Sequence, residues 1–583
     1  IIRFSQRYAE LAQELAKVEP DETRRRELEE IATVLERVPA NPAGTFREAL
    51  QFFWIIEVAA KFLPIYGHGG GYRIDQIFWP YYTNDMEAGR ITREMALELI
   101  ECLFLKIQEV GIALEWPVTF TGKAGGEIFY TLNICGSTSD GRDASNELSC
   151  LILEAIGNLR INQPPIAILY HGDISPDIVE RAIDILHIGT GHPSWFNEDL
   201  LEKWALLRGY SPKDAKSTQV GGCVTNVITG KYVVATGAAG TGGMIVPKIL
   251  EEALHEGGPQ GTQDTPDKPR TKDPREMQSA DELLDATLER VLFYAEQMKI
   301  SWDLAQGVLM TTYPDPCNSL LLDEPLERGL DLKKLHKEYD TYPAVYNLGM
   351  ITTVDSLIAI QKLVFDENKY TMKQLIAALK ANWDGYESMR YDFLNAPKYG
   401  NDDDYADAWA VKVTTRFEET ISQVKDAWGY GFISDGGTAA GYQVVGLTCG
   451  ATPDGRRAMS HLTDGSRSPM AGADKNGPTA VLNSAAKIPF MHTELFNQRF
   501  MPAFLEGKNK KIFAAYLRVW YEKGTIPHIQ FNIVDSSVLK DAQEHPENYA
   551  DLQVRVAGYS AFWIDLPQAT QDSIIARMEH SLS

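Results

Sequence analysis

The sequence predicts an α/β protein, because patterns typical of amphipathic helices alternate along the chain with short apolar runs. In residues 92–110, apolar side chains such as Ile100 and Phe104 recur on one face of a helix that begins at Thr92. Similar helical patterns cover residues 21–36, 146–161, 177–188, 279–299, 354–364 and 405–428. Apolar runs that are too short for helices indicate buried strands at residues 131–134, 166–170 and 528–534.

Composition limits the classes of protein to which this chain can belong. With 583 residues, of which 44% are hydrophobic, the chain can bury a very large core. The formal net charge of −24 argues against a nucleic-acid partner, which would require a basic surface. We find no apolar run near the roughly 20 residues that a membrane-spanning helix needs. Residues 257–272 are rich in Gly, Pro, Thr and Asp, which predicts a surface excursion between two helices.

The six cysteines predict no metal site, because none of them forms a C-x-x-C pair. Five of them are expected to be small buried hydrophobes. Cys223 differs, because two glycines precede it and the polar residues Thr225 and Asn226 follow it within three positions. Glycines allow a close approach of the backbone to a ligand, so we expect Cys223 at the exposed tip of a loop.

A glycine near the end of the chain carries the strongest functional signal. Residues 555–563 read RVAGYSAFW, with Gly558 among β-prone neighbours. By itself, such a glycine indicates a bulge or a turn. The α-carbon of glycine can also hold an unpaired electron that is delocalised over both flanking amides. The segment resembles the radical-bearing loop of the glycyl radical enzymes, and residues 221–226, which read GGCVTN, resemble their cysteine loop.

The resemblance extends over nearly the whole chain. Further matching segments are GYRIDQ at 71–76, WPYY at 79–82, NEL at 146–148, QP at 163–164, ATPDGRR at 451–457, GPTAVL at 477–482 and HIQFN at 528–532. Most of these segments, taken alone, read as turns or strand starts. Their order and spacing are what resemble the family.

The resemblance implies a fold of ten strands closed into a barrel, built from two antiparallel five-strand halves and surrounded by helices. The loops of Cys223 and Gly558 would meet inside it. A catalytic barrel is expected over residues 1–450 and a C-terminal glycine radical domain over residues 451–583. Relatives of this type carry more sequence before the cysteine loop, so an N-terminal portion is expected to precede Ile1.

The resemblance also implies the chemistry. No cofactor would be bound; a separate radical S-adenosylmethionine activating enzyme would install a radical on Gly558, which would pass to Cys223 as a thiyl radical. A thiyl radical is quenched by solvent or oxygen, which requires a closed site. We therefore expect an oxygen-sensitive homodimer in the cytoplasm of an anaerobic organism.

One departure from the family pattern bears on the reaction. Eliminases of this family carry a glutamate two residues after the cysteine, where it acts as a general base. Here that position is Thr225, whose hydroxyl does not accept a proton at neutral pH. Dehydration and C–N or C–S lysis are therefore disfavoured. Val224 stands where pyruvate formate-lyase has a second cysteine, which argues against acyl transfer.

Two reactions remain. Residues 545–575 resemble the arylacetate decarboxylases, and we favour decarboxylation of phenylacetate or indoleacetate, since the hydroxyphenylacetate enzyme keeps the glutamate. The arylsuccinate and alkylsuccinate synthases also lack the glutamate, but they bind fumarate with an arginine downstream of the cysteine. Between Cys223 and Met244 this chain has no arginine, and its only basic residue there is Lys231. An inactive homologue is the non-catalytic alternative.

Seven residues are candidates for binding substrate: Thr225, Asn226, His192, Trp195, Phe196, His68 and Trp116. His192 is a candidate proton donor or carboxylate partner because the pKa of histidine is easily tuned. Trp195 and Phe196 are candidates to sandwich an aromatic ring, although aromatic side chains are more often part of a core.

Overall fold

The computed structural model describes residues 1–62, 70–109, 130–231, 242–255, 269–335, 343–436, 441–490 and 492–577. In these ranges the helices α1 to α22 are, in chain order, Ile2–Val18, Glu22–Arg37, Phe46–Phe62, Ile74–Glu87, Arg93–Glu109, Glu147–Leu159, Pro176–His187, Glu198–Leu207, Pro212–Ala215, Val246–Leu254, Ala280–Thr312, Pro316–Ser319, Asp323–Arg328, Met350–Ile360, Met372–Lys380, Glu387–Leu394, Asp404–Ile421, Gly441–Gly446, Pro478–Lys487, Asn509–Lys523, Ser536–Glu544 and Gln568–Ala576.

Several helices begin where a side chain satisfies one of their first backbone N–H groups. Asp21 accepts a hydrogen bond of 2.8 Å from Arg24 N at the start of α2. Asn146 and Ser149 form a reciprocal capping box at the start of α6. All seven predicted helices are present in the structure, with shifted ends in several.

The largest shifts in helix ends have local causes. The helix predicted to end at 299 continues to Thr312, because no proline interrupts the chain before Pro314. The helix predicted over 405–428 ends at Ile421. Beyond it, Asp426 accepts from the N–H groups of Trp428 and Tyr430 and builds a turn instead.

Strands β1 to β13 are Gly70–Arg73, Thr131–Cys135, Ile166–Tyr170, Ser194–Asn197, Thr218–Gly221, Thr225–Ile228, Gly243–Ile245, Ala344–Leu348, Ile433–Asp435, Asn497–Phe500, His528–Ile533, Gln553–Arg555 and Ser560–Phe562. The three predicted strands are confirmed as β2, β3 and β11. All three are buried along their whole length, which explains their continuous apolar runs.

The strands form one six-stranded sheet, one three-stranded sheet and two hairpins. The large sheet has the order β1-β2-β3-β4-β11-β10, in which β1 to β4 run parallel and β11 pairs antiparallel with β4. The smaller sheet, β7-β8-β9, is parallel throughout. The hairpins are β5/β6 and β12/β13.

The described strands do not close into the expected ten-stranded barrel. A backbone hydrogen bond of 2.8 Å from Gly436 N to Thr493 O links the chain just after β9 to the segment before β10. Full closure therefore stays a prediction, as does the domain boundary at residue 450. Most of the predicted excursion at 257–272 lies outside the described residues.

Two large apolar clusters support this arrangement. The first packs helices α3 to α7 and α20 against the large sheet. The second surrounds α14, every residue of which is buried, together with α10, α11 and α15 to α17. A third cluster lies under the β12/β13 hairpin and includes Val556, Tyr559 and Trp563. The β12/β13 hairpin therefore packs against an apolar cluster of its own.

Candidate active site

Cys223 lies in the turn of the β5/β6 hairpin, which we call the cysteine hairpin (residues 218–228). Its strands pair antiparallel, with Gly221 opposite Thr225, so three residues make the turn. Gly222 has a φ of +61°, a conformation that favours glycine. The sequence predicted an exposed loop tip; Cys223 is at the tip, but it is only partly exposed because it contacts a second loop.

The cysteine hairpin is anchored on strand β2. Asn133 donates from Nδ2 to Val220 O at 2.7 Å and accepts from Val220 N at Oδ1 at 3.0 Å. The hydroxyl of Thr131 donates to Gly222 O. These bonds fix the backbone on the N-terminal side of Cys223, so the position of the thiol is set by a rigid strand.

Gly558 lies in the four-residue turn of the β12/β13 hairpin, which we call the glycine loop (residues 553–562). Arg555 pairs with Ser560, and Val556 N donates to Tyr559 O at 2.9 Å across the turn. Gly558 has a φ of +83°, in the left-handed region that disfavours other residues. Residues 553–561 are all buried, which shields this turn from solvent.

The glycine loop is anchored on strand β11 in the same way. Asn532 donates to Arg555 O and accepts from Arg555 N, both at 2.6 Å. The Arg555 side chain donates from Nε to Gln530 Oε1 at 2.7 Å. Each loop is thus held by an asparagine that binds both backbone groups of the third residue before Cys223 or Gly558.

The tips of the two loops touch. An ideal Cβ placed on Gly558 would overlap the Cβ of Cys223 and lie 3.1 Å from its Sγ. One α-hydrogen of Gly558 therefore points at the cysteine side chain, and its Cα lies no more than about 4.6 Å from Sγ, because a Cα–Cβ bond is about 1.5 Å long. Only glycine fits this position. The two predicted residues, 335 positions apart in sequence, form one site.

His192 lies behind the glycine loop, just before β4. It is fully buried and accepts a hydrogen bond of 3.4 Å from Ile166 N at Nδ1. Burial, reinforced by the charge of Arg555, lowers the pKa of His192 to about 3. It is neutral at physiological pH, so it does not offer the cation that a carboxylate partner would supply. A role as hydrogen-bond donor stays a prediction.

Trp195 and Phe196 are neighbours on strand β4 and point to opposite faces of the sheet. Trp195 belongs to the first apolar cluster and contacts Tyr170 at a ring distance of 6.1 Å. Phe196 lies in the cluster that contains Ala557 and against which Cys223 packs, with its ring 4.7 Å from that of His528. The two rings therefore do not enclose one ligand, and Phe196 is the one on the side of the site.

The remaining candidates are only partly placed. Thr225 is partly buried and Asn226 is buried, both on β6 beside the thiol. His68 and Trp116 lie outside the described residues. A cavity of about 640 Å³ is lined by β1, β6 and α3, but Cys223 is not part of its wall. The substrate-binding assignments stay predictions.

The sequence analysis did not single out the anchoring residues Asn133 and Asn532. Asn532 stands in the matched segment HIQFN, which was the only signal for it. The described residues bring together no three histidine, cysteine or carboxylate side chains suited to a metal. In the part of the chain that the structure describes, no helix combines the length and apolar character that a membrane crossing needs.

Comparison with known protein families decides the assignment. Residues 1–437 match the pyruvate formate lyase-like family, and residues 463–564, which include Gly558, match the glycine radical family. The chain belongs to the glycyl radical enzymes. Its fold is accordingly the α/β pyruvate formate lyase-like fold with a C-terminal glycine radical domain.

Relatives of this glycyl radical enzyme catalyse several reactions. It is 33% identical to trans-4-hydroxy-L-proline dehydratase of Clostridioides difficile, over 100% of this chain and 73% of that protein. It is 32% identical to indoleacetate decarboxylase of Tractidigestivibacter scatoligenes, over 99% of this chain and 68% of that protein. Isethionate sulfite-lyase of Nitratidesulfovibrio vulgaris is also 32% identical, over 100% of this chain and 71% of that protein.

Solved structures agree with this fold. The glycerol-bound B12-independent glycerol dehydratase of Clostridium butyricum matches with a TM-score of 0.93 at 30% identity, over 100% of this chain and 73% of that one. Family membership implies that a glycyl radical is installed after translation and that an activating enzyme is required. The specific reaction is not fixed by these similarities.

Proposed function

We propose that Gly558 stores the radical of this enzyme and that Cys223 is the residue that attacks the substrate. The observation that carries this proposal is the contact between the two tips, where an α-hydrogen of Gly558 faces Cys223. The glycyl radical takes the hydrogen atom from Sγ–H, which restores glycine and leaves a thiyl radical. The partial exposure of Cys223, against the full burial of Gly558, supports this division of roles.

For the reaction itself, we propose decarboxylation of an arylacetate such as phenylacetate or indoleacetate. The thiyl radical takes one electron from the carboxylate, and the thiolate that forms takes one proton from solvent, which restores the thiol. The oxidised carboxylate releases carbon dioxide. The resulting benzylic radical, stabilised by the ring, then takes the hydrogen atom of Sγ–H. The products are the methylarene and carbon dioxide, and the thiyl radical is regenerated.

Thr225 is the observation that favours decarboxylation over elimination. It lies on β6 two residues after Cys223, where an eliminating relative would need a carboxylate base. Phe196, on the same side of the sheet as Cys223, supplies apolar surface for an aromatic ring.

Two other reactions are less well supported. Dehydration or C–S cleavage is the second candidate, because the hydroxyproline dehydratase and the sulfite-lyase are as similar to this chain as the decarboxylase. Addition to fumarate would need a cation near the thiol for a second carboxylate. The only basic residue between Cys223 and Met244 is Lys231, whose Nζ lies 3.4 Å from Asp323 Oδ2.

Product analysis of the activated enzyme tests the reaction. With phenylacetate or indoleacetate, headspace gas chromatography should detect the methylarene, and carbon dioxide should appear in equal amount. A buried phenol hydroxyl without a partner costs about 1–3 kcal/mol, so 4-hydroxyphenylacetate should bind roughly ten- to a hundredfold more weakly. Turnover of glycerol, hydroxyproline or isethionate, or consumption of fumarate, would overturn decarboxylation and leave the radical pair standing.

A matched pair of variants tests the part played by position 225. Thr225→Val removes only the hydroxyl and should leave most of the decarboxylase activity. Thr225→Glu introduces a negative charge next to the thiol and should raise the KM for an arylacetate at least tenfold. Equal effects of the two changes would show that charge at this position does not select the substrate.

A further inference from the structure

We infer that Arg577 is a positioning residue that holds the glycine loop closed over Cys223. This inference rests on the proposed radical transfer between Gly558 and Cys223, and adds a residue to it. Arg577 lies beyond residue 564, where the match to the glycine radical family ends. It directly follows the last residue of α22, Ala576.

The guanidinium of Arg577 binds two consecutive carbonyls of the glycine loop. Nη1 donates to Arg555 O at 3.1 Å, and Nη2 donates to Val556 O at 2.6 Å. These carbonyls lie two and three residues before Gly558. A planar fork that binds two successive carbonyls fixes both peptide planes, which a single hydrogen bond does not.

The guanidinium is itself held from the other side. Its Nε lies 2.6 Å from Asp464 Oδ2, and the two side chains are only 8% and 11% exposed. Nη2 also donates to the Tyr442 hydroxyl at 3.4 Å. Burial lowers the pKa of Arg577, but the negative charge of Asp464 and the hydrogen bond to Tyr442 outweigh burial, and the pKa is raised overall. Arg577 thus stays charged and ties the glycine loop to residues outside the hairpin.

The C-terminal end of α22, which carries Arg577, is also held in place by hydrogen bonds. Arg499, on β10, donates from Nη1 to Ile574 O at 3.0 Å, near the C-terminal end of α22. It donates from Nη2 to the Ser536 hydroxyl at 3.0 Å. The end of α22 is therefore attached to the large sheet, and the guanidinium of Arg577 reaches the loop from a rigid support.

These contacts explain how the turn that contains Gly558 can be rigid although the two strands that flank it are short. The β12/β13 strands have three residues each, which is too little to hold a turn in place by pairing alone. Asn532 fixes the entry to the turn, and Arg577 fixes the next carbonyl as well. With both in place, the α-hydrogen of Gly558 stays directed at Cys223. Loss of the fork would let the turn lift away from the thiol.

Amide hydrogen exchange in the unactivated protein tests this inference without radical or substrate. In Arg577→Ala combined with Asp464→Asn, which avoids a stranded carboxylate, the peptide 553–563 should exchange roughly 10- to 100-fold faster than in wild type. Arg577→Lys keeps the charge but not the fork and should give a smaller acceleration, and it serves if the double variant does not fold.

Arg467→Lys is the matched control. Arg467 is also fully buried, pairs with Glu494 at 2.6 Å and donates to the carbonyls of Ala485 and Ile488, but none of these groups belongs to the glycine loop. Exchange of peptide 553–563 should be unchanged in this variant. Wild-type exchange in folded Arg577 variants, or an equal acceleration in Arg467→Lys, would overturn the inference.

A second readout follows the radical itself. In activated Arg577→Lys, the lifetime of the radical signal in air should fall several-fold relative to Arg467→Lys, because a loosened loop admits oxygen to Gly558. An unchanged lifetime would contradict the positioning role. Failure to form any radical in wild type would instead contradict the proposed function, while the exchange result would still be informative about the loop.

Discussion

The cysteine hairpin and the glycine loop have the same plan but different surroundings. Both are antiparallel hairpins whose entry is bound by an asparagine, Asn133 for the first and Asn532 for the second. The cysteine hairpin has neutral anchors and leaves Cys223 partly exposed. The glycine loop is buried from 553 to 561 and is bound by two arginines, Arg555 from within and Arg577 from outside.

The difference fits two roles in one radical transfer. A residue that stores an unpaired electron must be kept from solvent and oxygen, and the glycine loop is the more deeply buried and the more heavily bonded of the two. A residue that attacks substrate must reach a chamber, and Cys223 is the one with exposed surface. In the proposed transfer, the contact between the tips would let the hydrogen atom pass while each loop keeps its own environment.

The largest expected effect comes from giving position 558 a side chain. Gly558→Ala should show no radical signal and no turnover, and its loop should be displaced because the new Cβ would overlap Cys223. Gly477→Ala is the matched control, since Gly477 has a φ of +85° but no atom within 4 Å of an added Cβ. The midpoint temperature of thermal unfolding should fall clearly more in Gly558→Ala than in Gly477→Ala. Equal decreases would mean that the two loops do not approach each other closely.

Oxygen should distinguish the two loops chemically. In air, the radical at Gly558 should capture oxygen and cut the backbone there, which separates the chain before Gly558 from a C-terminal piece that contains residues 559–583. The cysteine hairpin should stay intact. Mass spectrometry of activated enzyme after exposure to air checks this outcome. An uncut chain in a sample that carried the radical would argue against storage at Gly558.

The two asparagines should have comparable effects on stability and different effects on the radical. Asn133→Ala removes the side-chain partner of the Val220 N–H and C=O, and Asn532→Ala removes that of the Arg555 N–H and one of the two donors to its C=O, so each change should cost about 1–3 kcal/mol. Urea unfolding measures that loss. Asn532→Ala should in addition shorten the lifetime of the radical, while Asn133→Ala should preserve the signal and slow turnover. A shortened radical lifetime in Asn133→Ala, with an unchanged lifetime in Asn532→Ala, would reverse the roles of the two loops.

A smaller effect concerns acid. The folded pKa of His192, about 3, is below the ordinary 6.5, so its contribution to stability is complete above pH 6.5 and is lost as pH falls. Between pH 6.5 and 5 the loss should be about 2 kcal/mol, at about 1.4 kcal/mol per unit. His192→Gln should reduce the acid-dependent loss of stability by about this amount, whereas the matched change at exposed His545 should not. Urea unfolding at pH 7 and pH 5 measures both.

The sequence alone allowed a prediction for those parts of the site that depend on short local motifs. RVAGYSA and GGCVTN singled out Gly558 and Cys223 as candidates, and the structure brings the two residues into contact; their roles stay predictions. The helical periods and buried apolar runs located seven of the described helices and three of the described strands, with most of their ends within a few residues. Helix α17 was predicted too long because Asp426 terminates the pattern with a turn that periodicity does not detect.

The remainder depends on contacts between distant segments. Arg577 and Asp464 are 113 positions apart, and neither stands out in its own neighbourhood. The depressed pKa of His192 follows from burial beside Arg555, which the sequence does not report. Trp195 and Phe196 were expected to share one ligand, but adjacent residues of a strand face opposite sides, and the strand at 194–197 had not been predicted.

The most direct test of the central claim is electron paramagnetic resonance of activated Cys223→Ser. We expect this variant to show a glycyl radical doublet of wild-type intensity and no turnover, because an O–H bond is too strong for the glycyl radical to break. The same measurement on Gly558→Ala should show no doublet. Turnover by Cys223→Ser, or a doublet that persists in Gly558→Ala, would contradict the transfer of a radical from Gly558 to Cys223.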